Sequence, residues 1–213
     1  GAVRDFHQEA RNIAHLNHPH VVTIYDVYEA EQRQFIVMQL VDGSSLEEQI
    51  ATRGRLLWPE AVEIIATLAV GLDYAHTQNI LHRDLKPANI LLDYKHGPML
   101  SDFGLAKLIG ETSTSVTADG NVVGTPHYIA PEVWEGRGTT RQSDIYALGC
   151  ILYEMFTGEK VFLGETPPGV MMAHFRPLAL PTTWPEEVPS DVAGVLATAL
   201  ARKPGDRYAT AAE

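Results

Sequence analysis

The chain has 213 residues, 45% hydrophobic and 20% charged, a balance that fits one compact domain or two lobes sharing a core and excludes a disordered or fibrous chain. Acidic residues outnumber basic ones, 27 to 16, for a formal net charge of −11, and no basic stripe of the kind that binds nucleic acid is visible. No run of about 18 apolar residues occurs, so no membrane span is expected within this segment.

The single Cys150 precludes an intramolecular disulfide and suits a reducing, cytoplasmic setting. The opening GAVRDFHQEA has no initiator Met, basic n-region or apolar h-region, which suggests an excised or partly observed piece. Val3, Phe6, Ala10, Ile13 and Leu16 follow steps of three and four and predict a helix that Pro19 stops. Val21–Glu29 and Gln34–Val41, rich in β-branched and aromatic residues, predict an antiparallel hairpin closed by the polar turn 30–33.

Asp42-Gly43 breaks the chain, and Ser44-Ser45-Leu46-Glu47 can cap a short helix. A long helix is expected from Pro59 to about Gln78, with Val62, Ile65, Leu68, Leu72 and Ala75 on its inner face. Residues 80–108 alternate short apolar strands with polar turns, and residues 110–124 read as a mobile polar loop. Asp144–Phe156 is apolar nearly all round, the mark of a central helix. A β-rich start before a mostly helical remainder predicts an α+β fold of two unequal lobes, residues 1–41 and 42–213.

Chemistry concentrates in His82-Arg83-Asp84-Leu85-Lys86-Pro87-Ala88-Asn89. A carboxylate, a cation two residues on and a carboxamide five residues on are what phosphoryl transfer to a hydroxyl needs. The first takes the proton, the second steadies the moving phosphoryl, and oxygen ligands hold Mg²⁺. Asp102-Phe103-Gly104 offers a second carboxylate in a tight turn, and Gly124-Thr125-Pro126-His127-Tyr128-Ile129-Ala130-Pro131-Glu132 follows.

HRDLKPAN, DFG and APE in this order and spacing resemble the eukaryotic-like (Hanks-type) serine/threonine protein kinases, and the stretch HTQNILHRDLKPANILL is similar to bacterial members. The resemblance implies Asp84 as catalytic base, Lys86 at the γ-phosphate of ATP, Thr125 bracing both, and Asn89 and Asp102 as Mg²⁺ ligands. Lys86 in this position also implies Ser/Thr acceptors on a protein substrate. The first helix, Ala2 to Asn17, resembles the family's helix C, with Glu9 as its ion-pairing glutamate. Met38 takes the gatekeeper position, Gln39, Leu40 and Val41 offer backbone to adenine, and Leu91 joins this nucleotide-contacting set; Met38 can equally be core.

Further expectations follow from the same resemblance. Ser113, Thr114, Ser115 and Thr117 stand where the family is phosphorylated, with Arg83 placed to pair with such a phosphate. Asp144 matches the carboxylate beneath the catalytic loop, and Arg207 matches the partner of Glu132. No glycine-rich loop and no lysine precede Glu9. Weak ATP binding, little or no turnover, and self-association through an exposed hairpin are therefore expected of the chain. Two alternatives stand beside the kinase: a non-catalytic kinase-like binding module, disfavoured by the intact Asp84, Asn89 and Asp102, and a small-molecule phosphotransferase, disfavoured by Ala130-Pro131-Glu132.

Overall fold

The structure, a computed structural model, describes residues 13–31, 33–104, 125–185 and 187–213. Glu9, most of the first predicted helix, and Ser113, Thr114, Ser115 and Thr117 lie outside them; residues 13 and 14 are helical, and Ile13 and Leu16 are buried.

Strands β1 (Ile24–Ala30) and β2 (Arg33–Met38) form the antiparallel hairpin. It is shorter than predicted at its open end, where β1 starts three residues later and β2 stops three residues earlier, and one residue longer on each side of the turn. Val22 donates to Leu100 O at 2.8 Å and Leu100 to His20 O at 2.9 Å, so residues 20–22 are drawn onto a different strand. Just past β2 Gln39 N–H closes on Thr23 O at 2.8 Å, and the chain then leaves the sheet. Val27 and Ile36, paired across the hairpin, pack on the core, whereas Tyr28 and Phe35 stack on the outer face with centroids 5.2 Å apart.

A second sheet orders β3 (Gly43–Ser45), β4 (Ile90–Asp93) and β5 (Gly97–Leu100), all antiparallel. Asp93 ties its turn together by accepting from the N–H groups of Lys95 and His96, both 2.8 Å, and Asp42, 3.0 Å. The backbone bonds to Lys95 and His96 lead in holding its carboxyl down at about 2.

Helix α1 (Leu46–Arg53) begins with a complete capping box of Ser45 and Glu48. Helix α2 (Trp58–Thr77) carries Pro in its first turn, as expected, but its buried line is Ala61, Ile64, Leu68, Leu72 and Ala75. Val62, predicted inward, is 39% exposed, and Ile65 is only half-buried. So many positions of this helix are apolar that periodicity finds the helix and leaves its rotation open by about one residue.

After the short α3 (Pro131–Trp134), helix α4 (Arg141–Thr157) is buried at every position from Ser143 to Phe156. A Cβ on Gly149 would stand 3.0 Å from that of Ala199, so glycine here lets α4 approach α6 (Val192–Ala199) closely. Gly158 ends α4 in the left-handed conformation, φ +77°, with its N–H on Glu154 O. Helix α5 (Pro167–His174) completes the lobe. The described fold is α+β, with helices dominating after β3. No helix among the described residues is long and apolar enough to cross a membrane.

Candidate active site

The loop 82–89 hangs from α4. Asp144, in the first turn of that helix and 2% exposed, accepts from His82 N at 2.9 Å, Arg83 N at 3.1 Å and the His76 ring Nε2 at 2.8 Å. One carboxylate thereby satisfies two loop amides that burial would otherwise strand. Arg83 adopts φ +70° and Asp102 φ +60°, a region sparsely populated by non-glycine residues that costs about 1–3 kcal/mol each and clusters at working sites.

His82 is buried, stacks on Phe103 at 4.6 Å, and accepts at its carbonyl from Gly104 N at 3.0 Å. These contacts fasten the two motif segments together. Burial holds the His82 imidazole below its ordinary pKa, so it is neutral, and its Nε2 has no hydrogen-bond partner among the described residues.

Asp84 sits at the rim, its side chain 22% exposed. Its Oδ2 receives Lys86 Nζ at 2.8 Å and Asn89 Nδ2 at 3.0 Å, and Asn89 Nδ2 also donates to Asp84 O at 2.8 Å. The other carboxylate oxygen, Oδ1, carries no hydrogen bond among the described residues. With its amide nitrogen committed to Asp84, Asn89 turns its carbonyl oxygen elsewhere. Ser101 links the segments: N and Oγ donate to Asn89 O at 2.9 and 3.1 Å, and Oγ lies 3.3 Å from Asp102 Oδ2. Asp84, Lys86, Asn89 and Asp102, eighteen residues apart at the extremes, thus share one site.

Thr125 lines a cavity of about 30 Å³ together with Asp84, Leu85, Tyr128 and Ala130. It makes no hydrogen bond to Asp84 or Lys86 among the described residues. At the hinge side, Met38 is partly exposed and Leu40 is 90% exposed. The N–H of Gln39 is committed to Thr23 O, whereas the carbonyl of Gln39 and the N–H of Val41 carry no hydrogen bond among the described residues. Leu91, half-buried in β4, pairs with Ser45 and Met99.

The segment 125–132 is held by side chains. Tyr128 Oη donates to Glu154 of α4 at 2.5 Å, and burial raises the pKa values of both. Arg207 meets Glu132 through two 2.8 Å bonds, at 0% and 2% side-chain exposure, and gives its remaining donors to the carbonyls of Ala201, Gln142 and Arg202. Ser143 Oγ adds a 2.7 Å bond to Glu132. Burial works against the charged carboxyl, but the bonds from Arg207 and Ser143 prevail and lower its pKa. His76 and Ser143 are site residues the motifs did not indicate. His76 lies one turn beyond Leu72 on the buried side of α2, and a histidine there is the available signal.

Comparison with known families matches residues 2–213 to the protein kinase domain. The chain is 41% identical over 213 residues to the serine/threonine-protein kinase PknB of Mycobacterium leprae, which covers 98% of this chain and 34% of that protein. Against PknB of Mycobacterium tuberculosis H37Rv identity is 40% over 213 residues, with the same shares. Against the serine/threonine-protein kinase PrkC of Bacillus subtilis it is 37% over 211 residues, 98% of this chain and 32% of that protein. The chain spans about a third of the length of these relatives.

Proposed function

The chain belongs to the protein kinase family, and on that premise we propose that, within the intact protein, it serves ATP- and Mg²⁺-dependent transfer of the γ-phosphate to serine or threonine hydroxyls of proteins. The observation that carries this is the state of Asp84: Oδ2 is fixed by Lys86 and Asn89, and Oδ1 is left to accept a hydrogen bond from an incoming hydroxyl. As the hydroxyl oxygen bonds to the γ-phosphorus, its proton passes to Asp84, and the bond from phosphorus to the bridging oxygen of ADP breaks. Lys86, already beside the carboxylate, faces the charge on the moving phosphoryl.

The Asp102 carboxylate and the side-chain Oδ1 of Asn89 are hard oxygen donors that fit Mg²⁺. Among the described residues no group of three or more His, Cys, Asp or Glu could cage a metal alone, and Mg²⁺ is ordinarily held by one or two carboxylates together with substrate phosphates and water. When bound, the ion neutralises phosphate charge. The open Gln39 carbonyl and Val41 N–H suit the adenine edge, with Met38, Leu40 and Leu91 around the ring. Thr125, which lines the same cavity as Asp84, is placed to brace the base and Lys86 once substrate is bound. Glu9 stands as the ion-pairing glutamate of the first helix, and phosphates on Ser113, Thr114, Ser115 or Thr117 pair with Arg83. ATP as the donor and the reduced, buried Cys150 support a cytoplasmic place of action, and the exposed outer face of the hairpin supports self-association.

Transfer of label from γ-labelled ATP to a generic basic protein by the full-length protein tests the assignment. Asp84→Asn and Asp102→Asn each lower transfer about 10²–10⁴-fold with the melting temperature kept. Undiminished transfer by either variant would overturn the roles.

A further inference from the structure

Helix α5 starts at Thr166, whose Oγ1 accepts from Gly169 N at 3.2 Å, and two prolines occupy its first positions. Val170 and His174, one turn apart, are its buried residues. An imidazole closing an apolar helix face would be plain packing if its nitrogens were idle. They are not.

His174, 3% exposed, lies between α4 and the segment that follows Thr125. Its Nε2 is 3.1 Å from Pro126 O, its Nδ1 is 2.7 Å from Tyr146 Oη, and its ring lies 4.1 Å from that of Phe162. A carbonyl only accepts, so Nε2 carries the hydrogen. Nδ1 is then bare and accepts from the tyrosine hydroxyl. Burial, the leading cause, brings the imidazole down to about 4, which keeps it in this neutral form at ordinary pH.

Tyr146 is itself fixed. The Arg207 guanidinium stands 4.7 Å over its ring while holding Glu132 at the far end of the same segment. Next to Pro126, His127 Nδ1 lies 2.8 Å from Phe162 O, so Phe162 braces the segment as well. The chain Arg207–Tyr146–His174–Pro126 runs from one end of segment 126–132 to the other. That segment shares a cavity wall with Asp84 and Leu85, so a shift of the Pro126 carbonyl shifts the floor beside the base.

We propose that His174 is a positioning residue for the protein substrate: its two directed hydrogen bonds fix the height of residues 126–130 over α4 and so the seat of the acceptor peptide, without contact with the reacting atoms. This rests on the kinase function proposed above.

The test compares His174→Leu, which removes both bonds, with His174→Gln, whose amide keeps a donor toward Pro126 O, and Tyr146→Phe, which keeps the packing and releases the tautomer. Steady-state phosphorylation of a serine-containing acceptor peptide gives separate KM values for peptide and ATP. Amide hydrogen exchange at Tyr128 and Ile129 reports the segment without reference to activity. His174→Leu raises the peptide KM about threefold to tenfold, the range of one or two net hydrogen bonds, and leaves the ATP KM unchanged. His174→Gln restores most of the loss, and Tyr146→Phe moves in the same direction by less. Exchange accelerates in the same order.

Equal impairment by Leu and Gln would reduce His174 to packing and overturn the proposal, as would wild-type exchange and wild-type peptide KM in His174→Leu. Should His174→Leu fail to fold, Tyr146→Phe against wild type decides, and unchanged exchange there counts against the proposal. A wild-type protein that phosphorylates no acceptor would overturn the functional reading instead, and the exchange comparison would still decide whether His174 holds the segment.

Discussion

Two segments carry the site, and both depend on α4 in different ways. The loop 82–89 is fixed through its backbone: Asp144 accepts two consecutive amides, and the reactive side chains remain at the rim. The segment 125–132 is fixed through its side chains and one carbonyl, by Glu154, His174, Ser143 and Arg207. The first arrangement leaves Asp84 and Lys86 at the rim, where the proposed chemistry needs them. The second leaves backbone and intervening side chains for the acceptor peptide of the proposed function. A single helix, buried from Ser143 to Phe156, thus sets both heights, and damage to either set of contacts should show a different signature.

The largest effect belongs to the side-chain set. Arg207→Met leaves Glu132 buried without its cation, and breaking such a pair costs about 3–5 kcal/mol. Urea unfolding should show that loss, and the double variant with Glu132→Gln should recover a good part of it. A loss below about 1 kcal/mol would mean the pair is better hydrated than its burial implies.

Next is a pH dependence from His174. Its folded pKa, about 4, lies below the ordinary 6.5 chiefly through burial, with the neighbouring His127 adding to the drop and the Pro126 carbonyl opposing it. The unfolded chain therefore takes up the proton first as pH falls. The stabilisation is complete above 6.5 and is lost on the way down to 4, at most about 3 kcal/mol. Other buried histidines slope the same way, so the measurement is the difference between wild type and His174→Gln, which should be flatter by up to one proton over that window. Parallel curves would refute the neutral, buried assignment.

Asp144→Asn tests the backbone set. A carboxamide keeps one acceptor and places a donor against the other amide, for about 1–3 kcal/mol. Turnover should fall with little change in the ATP KM, since Asp84 is displaced while residues 39–41 are untouched. A rise in ATP KM alone would show that Asp144 supports the wrong half of the site.

Much of this was legible in the sequence because short motifs fix local chemistry. HRDLKPAN and DFG indicated Asp84, Lys86, Asn89 and Asp102, which the fold brings to one place. The apolar run 144–156 indicated the central helix. What stayed illegible depends on distant packing. The rotation of α2 could not be read from a helix with so many apolar positions. The true start of β1 could not be read because residues 20–22 pair with Leu100, nearly eighty positions away. His174 carries no motif, and His76 opens the stretch HTQNILHRDLKPANILL with no role assigned to it; their hydrogen-bond partners, which depend on distant packing, reveal them.

The smallest effect lies farthest from α4, in the hairpin. Tyr28 and Phe35 stack across β1 and β2 on an exposed face, at 45% and 40% exposure, and Tyr25 on the same strand is 65% exposed. A cross-strand aromatic pair contributes about 0.5–1 kcal/mol. Tyr28→Ala should lower overall stability by no more than this, because the inward pair Val27 and Ile36 still holds the hairpin to the core. The same open face offers apolar area and strand edges to a second copy. Light scattering should show a mass above the monomer that rises with concentration and falls when Tyr28→Lys and Phe35→Lys are combined. A monomer at every concentration, with hydrogen exchange showing the hairpin intact, would establish that this two-stranded sheet is stable without a partner and that self-association is not one of its properties.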